Sequence, residues 1–237
     1  MKTRVLRWAW MRGWLFVLLL AVAGLAVGVG QARASDATEA QGIVDRAKAT
    51  VNDFMADSNY SWLHEHLKTA KGVLIFPQVI KGGFFIGGSG GTGVLLVRDA
   101  ATGTWSQPAF YTLGSVSFGL QIGGEAAEVM MLVTNQRALD SLYSSSVKLG
   151  GDISLSVGPY GAGAKGAVNV NSYFISFAKT KGLYAGLNLD GSVLEVRDSL
   201  NHAYYGKKLT PLQIIVEKKG ANPDAAGLLA ALEKSGK

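Results

Sequence analysis

Between positions 36 and 55, apolar residues recur at three- and four-residue intervals: Ala40, Ile43, Val44, Ala47, Val51, Phe54 and Met55. Asp45, Arg46, Lys48, Asn52 and Asp53 stand between them, so the spacing predicts one amphipathic helix. Ser58 or Asn59 is placed to cap a second, short helix through Trp62, Leu63 and Leu67, ended by Gly72. Residues 73–76, before Pro77, predict a short buried strand or turn. From Gly82 the period changes to strands punctuated by glycine, at 83–87, 93–99, 109–120, 127–134, 146–157, 162–169, 172–180 and 184–189. Turns are expected at 99–103 and 188–191, and a helix at 135–143. Thr210-Pro211 and Asn222-Pro223 read as helix starts with proline in the first turn, within a mixed region after Gly191.

Eight short strands flanked by helices predict a mainly β, α+β fold. The expected sheet is antiparallel and barrel-like, closed or nearly closed, with an N-terminal amphipathic helix and C-terminal helices. An outer-membrane barrel would alternate apolar and polar residues over about ten positions. Here residues 94–97 and 129–133 are continuous apolar runs, which suit strands covered on both faces.

The first 34 residues change the electrostatic picture. Lys2, Arg4, Arg7 and Arg12 precede an apolar run from Trp14 to Val29, and Ala32-Arg33-Ala34 follows. That order is a secretory signal peptide, with cleavage expected before Ser35; retention as an anchor is the alternative. The protein is then expected to be periplasmic or secreted, with 35–237 as a single domain. The chain carries 23 basic and 17 acidic residues; with the leader's five basic residues set aside, the balance is 18 to 17. The pI of 9.4 therefore resides mostly in the leader and is no nucleic-acid footprint. The absence of cysteine excludes disulfides, thiolate metal sites and a cysteine nucleophile.

Several motifs look chemical. Residues 88–93 satisfy G-x-G-x-x-G, and residues 87–91 satisfy G-x-S-x-G around Ser89, but a strand follows where both motifs need a helix. A glycine hairpin turn is expected instead. Gly161 to Gly166 lacks the Gly-Lys-Ser/Thr of a phosphate loop and reads as another turn. His64 and His66 point to different faces of a helix and are expected as surface or capping residues, like His202. Glu125 and Glu128 could form an acid/base pair, yet no nucleophile or metal ligand accompanies them. Neither catalytic residues, cofactor nor metal is expected. The remaining constellation is cationic: Lys68, Lys71 and Lys81 beside Phe84 and Phe85, with Lys179 and Lys181 around Gly182. Ammonium groups beside apolar side chains suit an anionic lipid surface, and solvated loop lysines beside a buried run are the plainer reading.

The segment AKGVLIFPQVIKGGFFIGGSGGTG, residues 70–93, resembles the opening signature of the SYLF domain family, also called the Ysc84-type actin-binding domain. WSQPAF at 105–110, GLQIGG at 119–124, KGLYAGL at 181–187 and YYG at 204–206 also resemble it. The resemblance implies a non-enzymatic phospholipid-binding module; phosphoinositide and actin binding occur among eukaryotic members. It further implies membrane contact through the N-terminal helix face, residues 43–55, and through Lys68, Lys71 and Lys81. The leader would keep an exported member away from actin. The expected function is thus lipid binding in the cell envelope, recognising an anionic head group or an acyl chain. A structural or protein-interaction domain is the alternative, and a hydrolase using Ser89 is a third reading.

Overall fold

The computed structural model describes residues 35–235 except 84–85, 119–122, 151–152, 162–168, 170, 181–182 and 185–188. The leader, Phe84, Phe85 and Lys181 lie outside the described residues. No described helix is long and apolar enough to cross a membrane.

The first helix, α1, occupies residues 35–56, as the periodicity predicts. Its apolar stripe is fully used: Ala40, Ile43, Val44, Ala47, Val51 and Phe54 are all buried. A 3-10 turn at Ser58–Tyr60 leads into α2, Ser61–Leu67. Neither Ser58 nor Asn59 caps α2, which Tyr60 precedes without a side-chain cap bond; Asp57 caps the 3-10 turn instead, its carboxylate accepting from the Asn59 amide at 3.1 Å. Asp57 can also reach a cation on the sheet, described below, so it does two jobs from the capping position.

The strands are β1 (Gly72–Gly83), β2 (Ile86–Val97), β3 (Ala109–Phe118), β4 (Gly123–Val133), β5 (Ser146–Lys148), β6 (Leu155–Val157), β7 (Phe174–Thr180), β8 (Leu183–Tyr184) and β9 (Val193–Val196). They form one sheet in the order β5-β9-β3-β2-β1-β4-β7-β6, with β8 beside β7. The order is an open path, so the expected closed or nearly closed sheet is realised as a curled half-barrel. Pairing is antiparallel except for β6 with β7. The sequence expectation missed β9 and cut β1 short at Pro77. That strand continues for twelve residues because Pro77 sits in a one-residue bulge. Ile75 pairs with Val94 and Ile80 with Gly90, so β1 spends five steps where β2 spends four. A bulge is one of the few places where a sheet tolerates proline.

Residues 88–93 are not a turn. They lie inside β2, paired with β1 on one side and β3 on the other, and none has a positive φ. Glycine is required there for a different reason. A Cβ on Gly91 would sit 2.2 Å from the Gln78 carbonyl oxygen, and one on Gly93 equally close to that of Ile75. The bulged strand presses its backbone onto β2 where β2 has no side chains.

Helix layers cover both faces. On one, Val73, Ile75, Val94, Leu96, Met130 and Phe177 pack against α1, α2, α4 (Asp198–Tyr205) and α6 (Ala226–Ser235). On the other, Leu74, Phe76, Leu95, Val129, Met131 and Val133 pack against α3 (Gln136–Ser141) and α5 (Pro211–Ile215). This double cover is why the runs 94–97 and 129–133 are apolar at every position. The expected helix starts hold: Asn135 caps α3, and Thr210 with Gln213 forms a capping box on α5. Asn222-Pro223 opens the short turn before α6, whereas α4 was not expected.

Candidate functional site at the uncovered end of the sheet

Beyond the Pro77 bulge, β1 to β4 run past the helix layers. Buried residues on this stretch give way to Ile80, 56% exposed, and Val116, 71% exposed. Both lie on the α1 side: Val94 and Met130 face α1, and alternation carries that face through Gly90 and Ala126, the partners of Ile80. Val116 pairs with Gly88 on the same face. A Cβ added at Gly82 or Gly114 would meet nothing within 4 Å, so no described element lies over this part of the sheet. Among the described residues the result is a platform of four strands with small residues and two exposed aliphatic side chains, Ile80 and Val116.

A cleft of about 450 Å³ marks the border between covered and uncovered sheet. Arg46 and Asp53 of α1, the bulge at Pro77 and Gln78, Glu128 of β4 and Lys179 of β7 line it. The Thr50 hydroxyl donates to Glu128 Oε1 at 2.7 Å and ties α1 to β4. Burial raises the Glu128 carboxyl above the ordinary range, partly offset by that hydrogen bond. Lys179 Nζ lies 3.3 Å from Asp57 Oδ2 and 3.4 Å from the Asp53 carbonyl oxygen, with its side chain 16% exposed. His64 Nε2 lies 2.9 Å from the Phe54 carbonyl oxygen, a contact that requires the proton on Nε2. Lys179 and His64 thus satisfy carbonyls in the last turn of α1, groups that a helix end leaves without partners. The Asp57 carboxyl is held below its usual range, first by the Asn59 amide and then by Lys179.

The sequence-predicted cations do not converge. Lys68 and Lys71 flank the start of β1, and Lys81 stands ten residues along the strand, about 30 Å away. Lys68 borders a separate cleft between α1, α2 and α6, together with Lys234. Lys179 is bound to the end of α1. Of the described cations among them, Lys81 alone lies on the uncovered stretch, opposite Ser89 on β2 and Glu125 on β4, and alternation from Ile80 turns it to the other face of the sheet. Arg46, which sequence reasoning did not single out, stands at the border on the α1 side and makes no ion pair among the described residues.

The other chemical candidates resolve into structure. Ser89 Oγ pairs with Ser115 Oγ across β2 and β3 at 2.7 Å, in mid-strand rather than at a strand-to-helix elbow. His66 stacks on Trp62, ring centroids 3.5 Å apart, and bonds the Trp62 carbonyl. No group of three or more metal-ligating side chains occurs among the described residues.

The family model for the Ysc84 domain, described as Las17-binding protein actin regulator, matches residues 114–235, which carry β3 to α6. Protein YSC84 of Saccharomyces cerevisiae is 33% identical over 172 residues, covering 70% of this chain and 36% of that protein. The chain belongs to the Ysc84 family. LAS seventeen-binding protein 3 of the same yeast is 31% identical over 172 residues, covering 70% of this chain and 37% of its own. SH3 domain-containing YSC84-like protein 1 of Mus musculus is 31% identical over 149 residues, covering 62% and 43%. The chain therefore spans little more than a third of the length of the yeast relatives. No solved structure matches. The relatives of this Ysc84-family chain are named for binding and regulation rather than for catalysis.

Proposed function

We propose that this protein binds phospholipid membranes without turning lipid over, docking the uncovered end of its sheet on an anionic bilayer. The observation that carries this reading is the exposure of Ile80 and Val116 on a face that no described helix covers. An aliphatic side chain of this size gains about 1.5–3 kcal/mol on full burial, and each cation near an anionic surface adds about 1 kcal/mol. Ile80 and Val116 with Arg46 therefore supply a reversible contact of a few kcal/mol rather than an anchor. The lysines at the start of β1 lie too far from this end to share the contact. The leader read in residues 1–34 directs the activity to the cell envelope, facing the periplasm or the exterior. That compartment separates the chain from the Las17 and actin that name its family.

Flotation with phosphatidylglycerol-containing vesicles tests the reading. The wild type is expected to float with anionic vesicles and to remain below with pure phosphatidylcholine. Replacing Ile80 and Val116 together by Asp is expected to reduce recovery at least tenfold without lowering the melting temperature. Full recovery of the double variant would remove the uncovered end from the contact. A wild type that never floats would leave the protein-interaction reading in its place.

A further inference from the structure

Glu128 borders the uncovered end of the sheet on the same face as Ile80. Ala126, the partner of Ile80, stands two residues before it on β4, and alternation returns Glu128 to the α1 side, where the Thr50 hydroxyl meets it. The register also brings Glu128 a counter-charge that the fold draws away. Lys179 is its direct partner across β4 and β7, a placement in which opposite charges ordinarily attract. The ammonium turns instead to Asp57 Oδ2 at 3.3 Å and to the Asp53 carbonyl oxygen at 3.4 Å. Among the described residues Glu128 makes no ion pair, and the hydrogen bond it accepts comes from a neutral hydroxyl.

The charges that line the cleft with it, among the described residues, are few. α1 contributes Arg46 and Asp53, β7 contributes Lys179, and the bulge at Pro77 and Gln78 contributes none. Lys179 is neutralised by Asp57. Ionised Glu128 and Asp53 together then offset Arg46, the cation of the proposed contact; a proton on Glu128 leaves Asp53 alone against it. Burial favours that neutral carboxyl; the Thr50 hydrogen bond opposes it, Asp53 reinforces it and Lys179 opposes it. The net effect moves proton uptake above the ordinary 4.5. A bilayer closing over Ile80 removes more water from the cleft margin and favours the neutral form again.

We infer that attachment to an anionic bilayer is gated by the proton on Glu128, the ionised carboxylate weakening the contact and the neutral acid strengthening it. The inference rests on the membrane reading above and adds its regulation. Attachment tightens as pH falls, and by linkage the attaching protein takes up a proton.

Flotation of the purified protein with a concentration series of phosphatidylglycerol vesicles, from about pH 7.5 down to about pH 4.5, tests it. Wild-type binding is expected to strengthen about fivefold across that range, the worth of one charge beside an anionic surface. Glu128→Gln is expected to bind at the neutral end as tightly as the wild type does at the acid end, and to lose most of the response to pH. Thr50→Val removes the donor that favours the ionised carboxylate, so it is expected to move the midpoint of the response to higher pH. Near-ultraviolet circular dichroism checks that the fold survives the acid end. Should acid unfold the wild type, the comparison with Glu128→Gln at neutral pH carries the test alone, and equal binding there would overturn the inference. A response to pH that Glu128→Gln retains in full would belong to another group, such as His64 at the end of α1, and would also overturn it. So would a midpoint that Thr50→Val leaves in place, or a wild type that floats equally at every pH; each of these leaves the membrane reading standing. A wild type that never floats would overturn both.

Discussion

Glycine at Gly91 and Gly93 and glycine at Gly82 and Gly114 look alike in the sequence and behave oppositely in the fold. At the first two, a Cβ would strike the backbone of the bulged β1 strand at 2.2 Å. At the second two it would enter open space. Gly91→Ala and Gly93→Ala are each expected to cost about 1–3 kcal/mol, the range for overpacking, read from denaturant midpoints. Gly82→Ala and Gly114→Ala are expected to be neutral or stabilising by up to about 1 kcal/mol, because alanine loses less backbone entropy in a strand. Glu128 offers a second residue-level test. Its carboxyl is raised above its unfolded value, so the folded state holds the proton more tightly, and its contribution is fully present below about pH 4.5 and lost as pH rises through the folded value. Glu128→Gln keeps an acceptor for Thr50 and removes the charge. It is expected to raise the melting temperature at pH 7 and to leave it nearly unchanged at pH 4. A loss of stability at pH 7 would mean that the ionised carboxylate is favourable where it sits. None of this was legible in the residue string: the glycine run read as a turn because letters carry no record of a neighbouring bulge.

At the scale of elements, α1 tests how far an amphipathic pattern speaks for itself. The periodicity located the helix, and its apolar stripe is buried from Ala40 to Phe54, with Met55 partly buried at the end. The same periodicity cannot say whether such a stripe faces a core or a membrane, since both bury it. The structure answers with contacts: Phe54 is fully buried, and Lys179, His64 and Thr50's bond to Glu128 all tie the helix down. Phe54→Ala is expected to cost about 3–5 kcal/mol of stability. Lys179→Ala is expected to lower the melting temperature while leaving vesicle binding per folded molecule unchanged, because Lys179 serves the end of α1. Amide exchange by mass spectrometry should find α1 equally protected with and without anionic vesicles. Deprotection of α1 on vesicles would show that the helix leaves the sheet to bind. Strand reading fared unevenly for a related reason. Apolar runs covered on both faces, as at 129–133, announce themselves, whereas β1 was cut at Pro77 because proline reads as a stop unless a bulge absorbs it.

Across the whole molecule, the sheet is a half-barrel with a packed middle and two unlike ends. One end presents Ile80 and Val116 with Arg46 beside them; the other presents exposed Leu212 and Val216 at α5. The sequence announced the α+β class and the family, because the order of motifs from residue 70 to residue 206 survives without coordinates. It did not announce the site. Lys68, Lys71 and Lys81 look like one cluster along the chain, but an extended strand of ten residues carries the last of them about 30 Å away. Ile80 and Val116 drew no notice because a lone aliphatic residue among glycines and serines has no periodic partner to reveal its face. The cysteine-free chain allows the membrane contact to be located directly. Val116→Cys and Val216→Cys, each carrying a single environment-sensitive nitrobenzoxadiazole label, place one reporter at each end. Adding phosphatidylglycerol vesicles is expected to shift emission to the blue and brighten it at position 116, to leave position 216 unchanged, and to be reversed by high salt. A protein that binds the vesicles with no shift at position 116, or with an equal shift at position 216, would contradict docking through the uncovered end of the sheet.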